Sequence, residues 1–226
     1  MGAAATLELE HTLYQQGYRL IAGLDEAGRG AWAGPVVAAA VILPLECPDL
    51  SGLLDGVCDS KQLGPHVRIQ LAQRIRDVAL AVGVGVGAPA LIDREGIVSA
   101  TCHAMTQALR RLGVTPDVLV LDYVRLPHVP IPQYVRPHAD ALHLCVAAAS
   151  IIAKVTRDHL MGLLAQRYPG YGFAAHKGYG TPDHRRSLAR WGITPIHRRS
   201  FAPVRMLAAQ PGSAQLDEFD NREDTC

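Results

Sequence analysis

No stretch of the chain approaches the roughly 18 consecutive apolar residues that a membrane-spanning helix needs. The opening "MGAAATLELEH" also lacks the basic-then-apolar order of a secretory leader. A protein of the cytoplasm with no membrane partner is expected. The five cysteines, Cys47, Cys58, Cys102, Cys145 and Cys226, are odd in number and nowhere form C-x-x-C. That spacing argues against a disulfide framework and a zinc knuckle, and for reduced thiols. No "GxxxxGK[ST]" occurs, so a nucleotide-binding regulatory protein would have no P-loop to use. The string "MGAAAT" fits a loose myristoylation pattern but has no supporting basic patch. No internal repeat is present.

What remains is 226 residues, 49% of them hydrophobic, enough for one sizeable core. The net charge of +1 hides an asymmetry: residues 206–226 hold five acids and one base, which leaves the rest of the chain five bases in excess. Much of that excess falls late, at Lys177, Arg185, Arg186, Arg190, Arg198, Arg199 and Arg205. Such a cluster suits a phosphate backbone, and it suits a solvated face equally. A non-catalytic nucleic-acid binder would account for it too.

"YRLIAGLD" reads as a buried strand, and "GPVVAAAVILP" beyond a Gly-rich turn as its antiparallel partner. Pro65 opens a helix with Val67, Leu71, Ile75, Val78 and Val82 at helical spacing, and "VGVGVG" at 82–87 is a strand lined with glycine on one face. A second helix carries Ile97, Met105, Ala108, Leu109 and Leu112. "DVLVLD" at 117–122 and "PIPQYVRP" supply two more short strands, a helix over 143–167 turns Leu144, Ala148, Ile151, Ile152, Val155 and Leu163 to one side, and Thr181 and Pro182 cap a last helix stopped near Gly192. The pattern is α/β with a mixed sheet. Residues 1–17 read as an N-terminal extension, 18–205 as the folded domain and 206–226 as a flexible acidic tail.

Asp25, Glu26 and Asp122 all stand where apolar strands should end. Ionised carboxylates are costly to bury unpaired, and a divalent cation satisfies several at once. Consecutive strand residues face opposite ways, so Asp25 and Glu26 can share a cluster only if the strand ends or bends between them. Taken singly each acid reads as a turn or cap residue; the set, beside a Gly-Arg-Gly loop, reads equally as a metal site.

"AGLDEAGRGAWAGPVVAAAVILP", "DSKQL", "VLVLD", "AAASIIAKVTRD", "YGFAAHKGY" and "IHRRSFAPV" resemble, in order, the successive blocks of type 2 ribonuclease H (ribonuclease HII), over about residues 18–205. The resemblance implies a ribonuclease H-like fold with a five-stranded mixed sheet. It implies an endonuclease for the RNA strand of RNA/DNA hybrids and for ribonucleotides embedded in duplex DNA, leaving 5′-phosphate and 3′-hydroxyl ends. It also implies two Mg²⁺ or Mn²⁺ ions held by Asp25, Glu26, Asp122 and a fourth acid. Asp140 matches that fourth acid better than Asp158, which lies inside a helix where Lys154 or Arg157 would pair with it. The same resemblance assigns Gly28, Arg29, Gly30 and Tyr179 to the 2′-hydroxyl at the DNA–RNA junction, Ser60 and Lys61 to phosphates, and His197, Arg198 and Ser200 to a supporting block. The chain departs from the family at Tyr123, where glycine is usual, at His138-Ala139 in place of Lys-Gly, and at Gly96 in place of asparagine. In the tail, Gln215, Leu216, Asp217 and Phe219 resemble a bacterial sliding-clamp-binding pentapeptide that Glu218 interrupts. A monomer with weak clamp binding is expected.

Overall fold

Helix α1 (Glu8–Gln15) turns Leu13 and the carboxyl of Glu10 inward, and the apolar run after it forms β1 (Ile21–Ala27). The computed structural model describes residues 5–58 and 60–208. Beyond the Gly-rich segment 28–35 the chain returns as β2 (Val36–Ile42), pairing antiparallel with β1 so that Leu24 faces Ala40, Asp25 faces Ala39 and Glu26 faces Ala38. Every residue of β2 is buried, as small and β-branched side chains can be when layers cover both faces of a sheet.

A short helix α2 (Leu50–Leu53) and a 3-10 turn at Ser60–Gln62 lead to α3 (Pro65–Val78), started by Pro65 in the first turn, where no amide partner is lost. Leu71 and Ile75 are buried as expected, but Val67 is exposed, Arg68 turns inward beside it, and Val82 already belongs to β3 (Ala81–Gly87). β3 pairs antiparallel with β2 and lays Gly83, Gly85 and Gly87 against α4 (Pro89–Arg110). The carbonyls of Ala108, Ala104 and Ala100 approach so closely that a Cβ on any of the three glycines would collide with them. Helix α4 begins earlier than its apolar spacing indicates and kinks at Gly96, whose φ of 82° explains glycine there.

β4 (Val118–Leu121) lies parallel to β1 and β5 (Gln133–Val135) parallel to β4, which gives a five-stranded mixed sheet in the order β3-β2-β1-β4-β5. The short α5 (Ala139–Leu142) then leads into α6 (Leu144–Arg167). The alanines of α6 let it pack directly on β1 and β2, with the backbone of Cys145 over Gly23. Leu163, expected inward, is exposed. Helices α1, α3 and α6 thus cover one face of the sheet and α4 the other, each with its own apolar cluster. Beyond α6 follow α7 (Phe173–His176), α8 (Pro182–Trp191) and α9 (Ala202–Ala208). Thr181 caps α8 by accepting the His184 amide, and Gly192 ends it, as the sequence predicts.

Residues read as an extension are tied into this body: Thr6 bridges to His143, Leu7 and Leu13 join the α6-side core, and Glu10 accepts the Cys145 amide at 2.9 Å in the first turn of α6. Among the described cysteines Cys145 is buried and Cys47, Cys58 and Cys102 are half-buried. No helix among the described residues is long and apolar enough to cross a membrane. Gln215–Phe219 and Cys226 lie outside the described residues.

Candidate active site

β1 and β4 run parallel with Leu24 beside Leu121, so the acids that follow, Asp25 and Asp122, arrive at the same edge of the sheet. Asp122 Oδ1 accepts the Ala139 amide at 3.2 Å, which fastens the end of β4 to the start of α5 and brings Asp140 in behind it. β1 neither ends nor bends between Asp25 and Glu26; it runs on to Ala27 in unbroken register. The two carboxylates therefore leave opposite faces of one strand, Asp25 on the α6 side and Glu26 on the α4 side. The expected local break is corrected, and the acids straddle the sheet edge.

Burial, and then the charge of Glu26 and that of Asp140, push the Asp25 carboxyl well above the usual carboxylate range. Burial raises Glu26 as well, against the opposing pull of Arg29. Ser150 hydrogen-bonds Asp25 and also stands 2.8 Å from the Ser60 hydroxyl. Arg29 Nη1 donates to Glu26 Oε1 at 3.2 Å, and Lys61 Nζ to Asp140 Oδ2 at 3.1 Å. Turned in this way, no three acids, histidines or cysteines among the described residues stand within reach of a common ion. The donor set still fits a hard divalent cation. It is all carboxylate oxygen, Asp25 is driven toward its neutral form by burial and then by the charges of Glu26 and Asp140, and Glu26 Oε2 is buried with no hydrogen-bond partner.

The loop beside the acids is held from below by two buried guanidinium groups. Arg198 donates to the carbonyls of Gly28 and Arg29 at 2.7 Å each and of Gly34 at 3.0 Å; Arg157 donates to those of Pro35 and Ala33. Gly28, at φ 94°, sits so close on the Arg157 guanidinium that a Cβ would overlap it. Arg198, one of the late basic cluster and of the block that the resemblance gives a supporting role, is wholly buried and serves the loop backbone. Asp93 of α4 accepts the amides of Arg199 and Ser200 and the Ser200 hydroxyl, pinning the block that carries Arg198.

Tyr179 is half-buried, its ring 5.2 Å from the Arg157 guanidinium and 5.7 Å from Lys154 Nζ. It opens on a cavity of about 780 Å³ shared with Arg68, Lys154, Asp158 and Lys177. Asp158 pairs there with Lys154 at 2.7 Å and with Arg68 at 3.7 Å, so Arg157 is free for the loop. Ser60 is buried under Ser150, while Lys61 keeps its side chain 74% exposed. Tyr123 and His138, both departures from the family pattern, take left-handed backbone beside Asp122 and Asp140, at φ 58° and 61°. The Tyr123 ring lies 5.6 Å from the Arg29 guanidinium. Sequence reading missed Ser150 and Arg157. The clue was their spacing on α6 with Met161, which puts polar groups on a buried helical face.

The family profile described as Ribonuclease HII matches residues 22–204. The chain is 52% identical to the ribonuclease HII of Chloroflexus aggregans over 198 residues, 88% of this chain and 93% of that one. The fold is similar to that of the ribonuclease H2 of Pyrococcus horikoshii, with TM-score 0.71 and 30% identity over 83% of this chain and 96% of that one. It is also similar to the ribonuclease HII of Archaeoglobus fulgidus, solved as a complex with PCNA, with TM-score 0.68 and 28% identity over 84% and 98%. The family match spans the carboxylate edge and the braced Gly-Arg-Gly loop together: the chain belongs to the ribonuclease HII family, endonucleases that cut the RNA of RNA/DNA hybrids.

Proposed function

We propose that Asp25, Glu26, Asp122 and Asp140 hold two divalent cations, Mg²⁺ or Mn²⁺, and that the chain cleaves both hybrids and ribonucleotides embedded in duplex DNA to 5′-phosphate and 3′-hydroxyl ends. The observation that carries this reading is the pair of adjacent buried carboxylates on β1, both pushed toward protonation, one with an oxygen that has no partner. Bound cations would supply an activated water and charge stabilisation at the leaving oxygen. The protein's own part is to position. Gly28, Arg29 and Gly30 offer a backbone close enough to meet a ribose 2′-hydroxyl, the one group that distinguishes RNA from DNA at the junction, and Tyr179 covers the other side. Lys61 reaches a phosphate by releasing Asp140, and Ser60 holds Ser150 against Asp25. Residues 18–205, with helix α1 tied into their core, form the catalytic unit of a cytoplasmic monomer.

The decisive measurement is Mg²⁺-dependent cutting of a duplex that contains one ribonucleotide. Asp122→Asn loses more than ~100-fold, beyond what outer partners of a metal ligand cost; cleavage at near wild-type rate in saturating Mg²⁺ removes Asp122 from the set. The acidic tail, residues 206–226, is proposed as a tether to a sliding clamp through Gln215–Phe219, a reading supported by the PCNA complex of the Archaeoglobus relative. Glu218 puts a charge where an apolar side chain is wanted, so a peptide of residues 209–226 binds clamp at roughly micromolar Kd or weaker, and Glu218→Leu tightens it. No binding by the Glu218→Leu peptide ends the tether idea.

A further inference from the structure

Three histidines pack under the segment that carries Tyr179, and none belongs to the carboxylate edge. His184 of α8 stacks on His176 of α7 with ring centroids 4.6 Å apart, and its Nε2 lies 3.0 Å from Nε2 of His197. Backbone partners fix every tautomer. The Thr194 amide donates to His197 Nδ1 at 2.9 Å, so the neutral ring carries its proton on Nε2. That proton can only go to His184 Nε2, which leaves His184 Nδ1–H to donate to the Tyr179 carbonyl at 3.0 Å. His176 accepts the Gly178 amide on Nδ1 at 3.1 Å, so its Nε2–H donates to the Tyr171 carbonyl at 2.7 Å. The imidazoles thus hold the two residues of one turn, Gly178 by its amide and Tyr179 by its carbonyl. The Gly178 carbonyl in turn accepts the Trp32 amide at 2.8 Å and the Ala33 amide at 3.2 Å, which docks this turn on the loop containing Gly28 and Gly30. Lys177 takes positive φ, 52°, a conformation that disfavours a side chain, so the turn is not one the backbone holds unaided.

We infer that His184, oriented by His197, is a positioning residue for the ribose: it fixes the Tyr179 backbone against the Gly28–Gly30 loop and so sets the gap in which a 2′-hydroxyl is recognised. The inference rests on the proposed role of Tyr179. Relaying a hydrogen bond through two rings, from the Thr194 amide to the Tyr179 carbonyl, needs one nitrogen that accepts and one that donates on each ring, and only neutral histidine has that pair on a rigid planar side chain.

Two substitutions at one position separate positioning from bulk stability. In His184→Asn the side-chain amide nitrogen takes the place of Nδ1, so the bond to the Tyr179 carbonyl is kept and the link to His197 is lost. In His184→Gln the amide reaches the place of Nε2, so the link to His197 is kept and the bond to Tyr179 is lost. The readout is the ratio of kcat/KM on a single embedded ribonucleotide to kcat/KM on a continuous hybrid, with thermal midpoints recorded beside it. His184→Gln lowers the ratio about tenfold, the scale of one lost buried hydrogen bond, and His184→Asn lowers it much less whatever its thermal midpoint. Equal ratios in the two variants, or ratios that follow the thermal midpoints, overturn the inference and make the histidines mere packing. Tyr179→Ala is run alongside. If it leaves the ratio unchanged, the role of Tyr179 fails and the inference goes with it; if it collapses the ratio while His184→Gln does not, the inference alone fails.

Discussion

Two imidazoles that share one proton between facing nitrogens 3.0 Å apart cannot keep that contact once a second proton arrives, because two N–H groups would then point at each other. Burial first, and then the neighbouring histidines, depress His197 to about 3. Burial first, with His176 adding to it, depresses His184 to about 4, while its bond to the Tyr179 carbonyl pulls the other way. In the unfolded chain both would titrate near 6.5. Between about pH 4 and 6.5 the unfolded state therefore binds more protons than the folded one, and stability rises with pH through that window and is lost as pH falls. Each histidine contributes a slope of about 1.4 kcal/mol per pH unit in the steepest part. His197→Asn keeps an acceptor for the Thr194 amide and removes one titrating ring. The stability difference between wild type and this variant narrows by about 2 kcal/mol as pH falls from 7 to 5, the slope of one histidine acting over about one and a half pH units below 6.5; denaturant melts at half-unit pH steps measure it. A difference that stays constant with pH means the depressed value is not a property of the folded ring. Carboxylates with the opposite sign, Glu10, Asp25 and Glu26, are common to both proteins and cancel in the comparison.

At the scale of elements, what could be read from the sequence was what neighbours in sequence decide. The β1–β2 hairpin followed from two apolar runs around a Gly-rich turn, and Thr181-Pro182 with Gly192 marked both ends of α8, because caps and turns act over a few residues. Gly83, Gly85 and Gly87 announced a strand with one bare face; what meets that face, the carbonyls of α4, is a matter of packing and could not be read. Long-range partners were likewise hidden. A basic cluster counted from sequence left Arg198 equally suited to phosphate and to a solvated face, yet its three acceptors are carbonyls 164 to 170 residues away in the chain. Arg157 looked like a partner for Asp158 at the next position, whereas a helix turns adjacent side chains about 100° apart and points Arg157 to the core. The carboxylates were found because their cost is local: an acid at the end of an apolar strand needs an explanation wherever the strand goes. Their geometry was not found, since the expected break in β1 is a property of its pairing with Ala38 and Ala39.

For the molecule as a whole, the same acids that define the sheet edge work against the fold. Burial, and then the charge of Glu26, drives Asp25 toward protonation, and burial, with the charge of Asp122 adding to it, drives Glu26 the same way, so at neutral pH their negative charge is a cost that the rest of the core offsets. A divalent cation held by the proposed carboxylate set in the folded state, and by nothing in the unfolded chain, would remove that cost and add stability as RT ln(1 + [L]/Kd). At a concentration tenfold above Kd this is about 1.4 kcal/mol, which for a chain of this length raises the thermal midpoint by about 3–6 °C. The expected outcome is a Mg²⁺-dependent rise in the wild type that saturates, measured against NaCl of matched ionic strength so that general screening is subtracted. The double variant Asp25→Asn, Asp140→Asn starts from a higher midpoint without Mg²⁺, because it carries less clustered charge, and gains little when Mg²⁺ is added. An equal Mg²⁺ gain in both proteins places the stabilising ion elsewhere on the surface and detaches the carboxylate edge from metal binding.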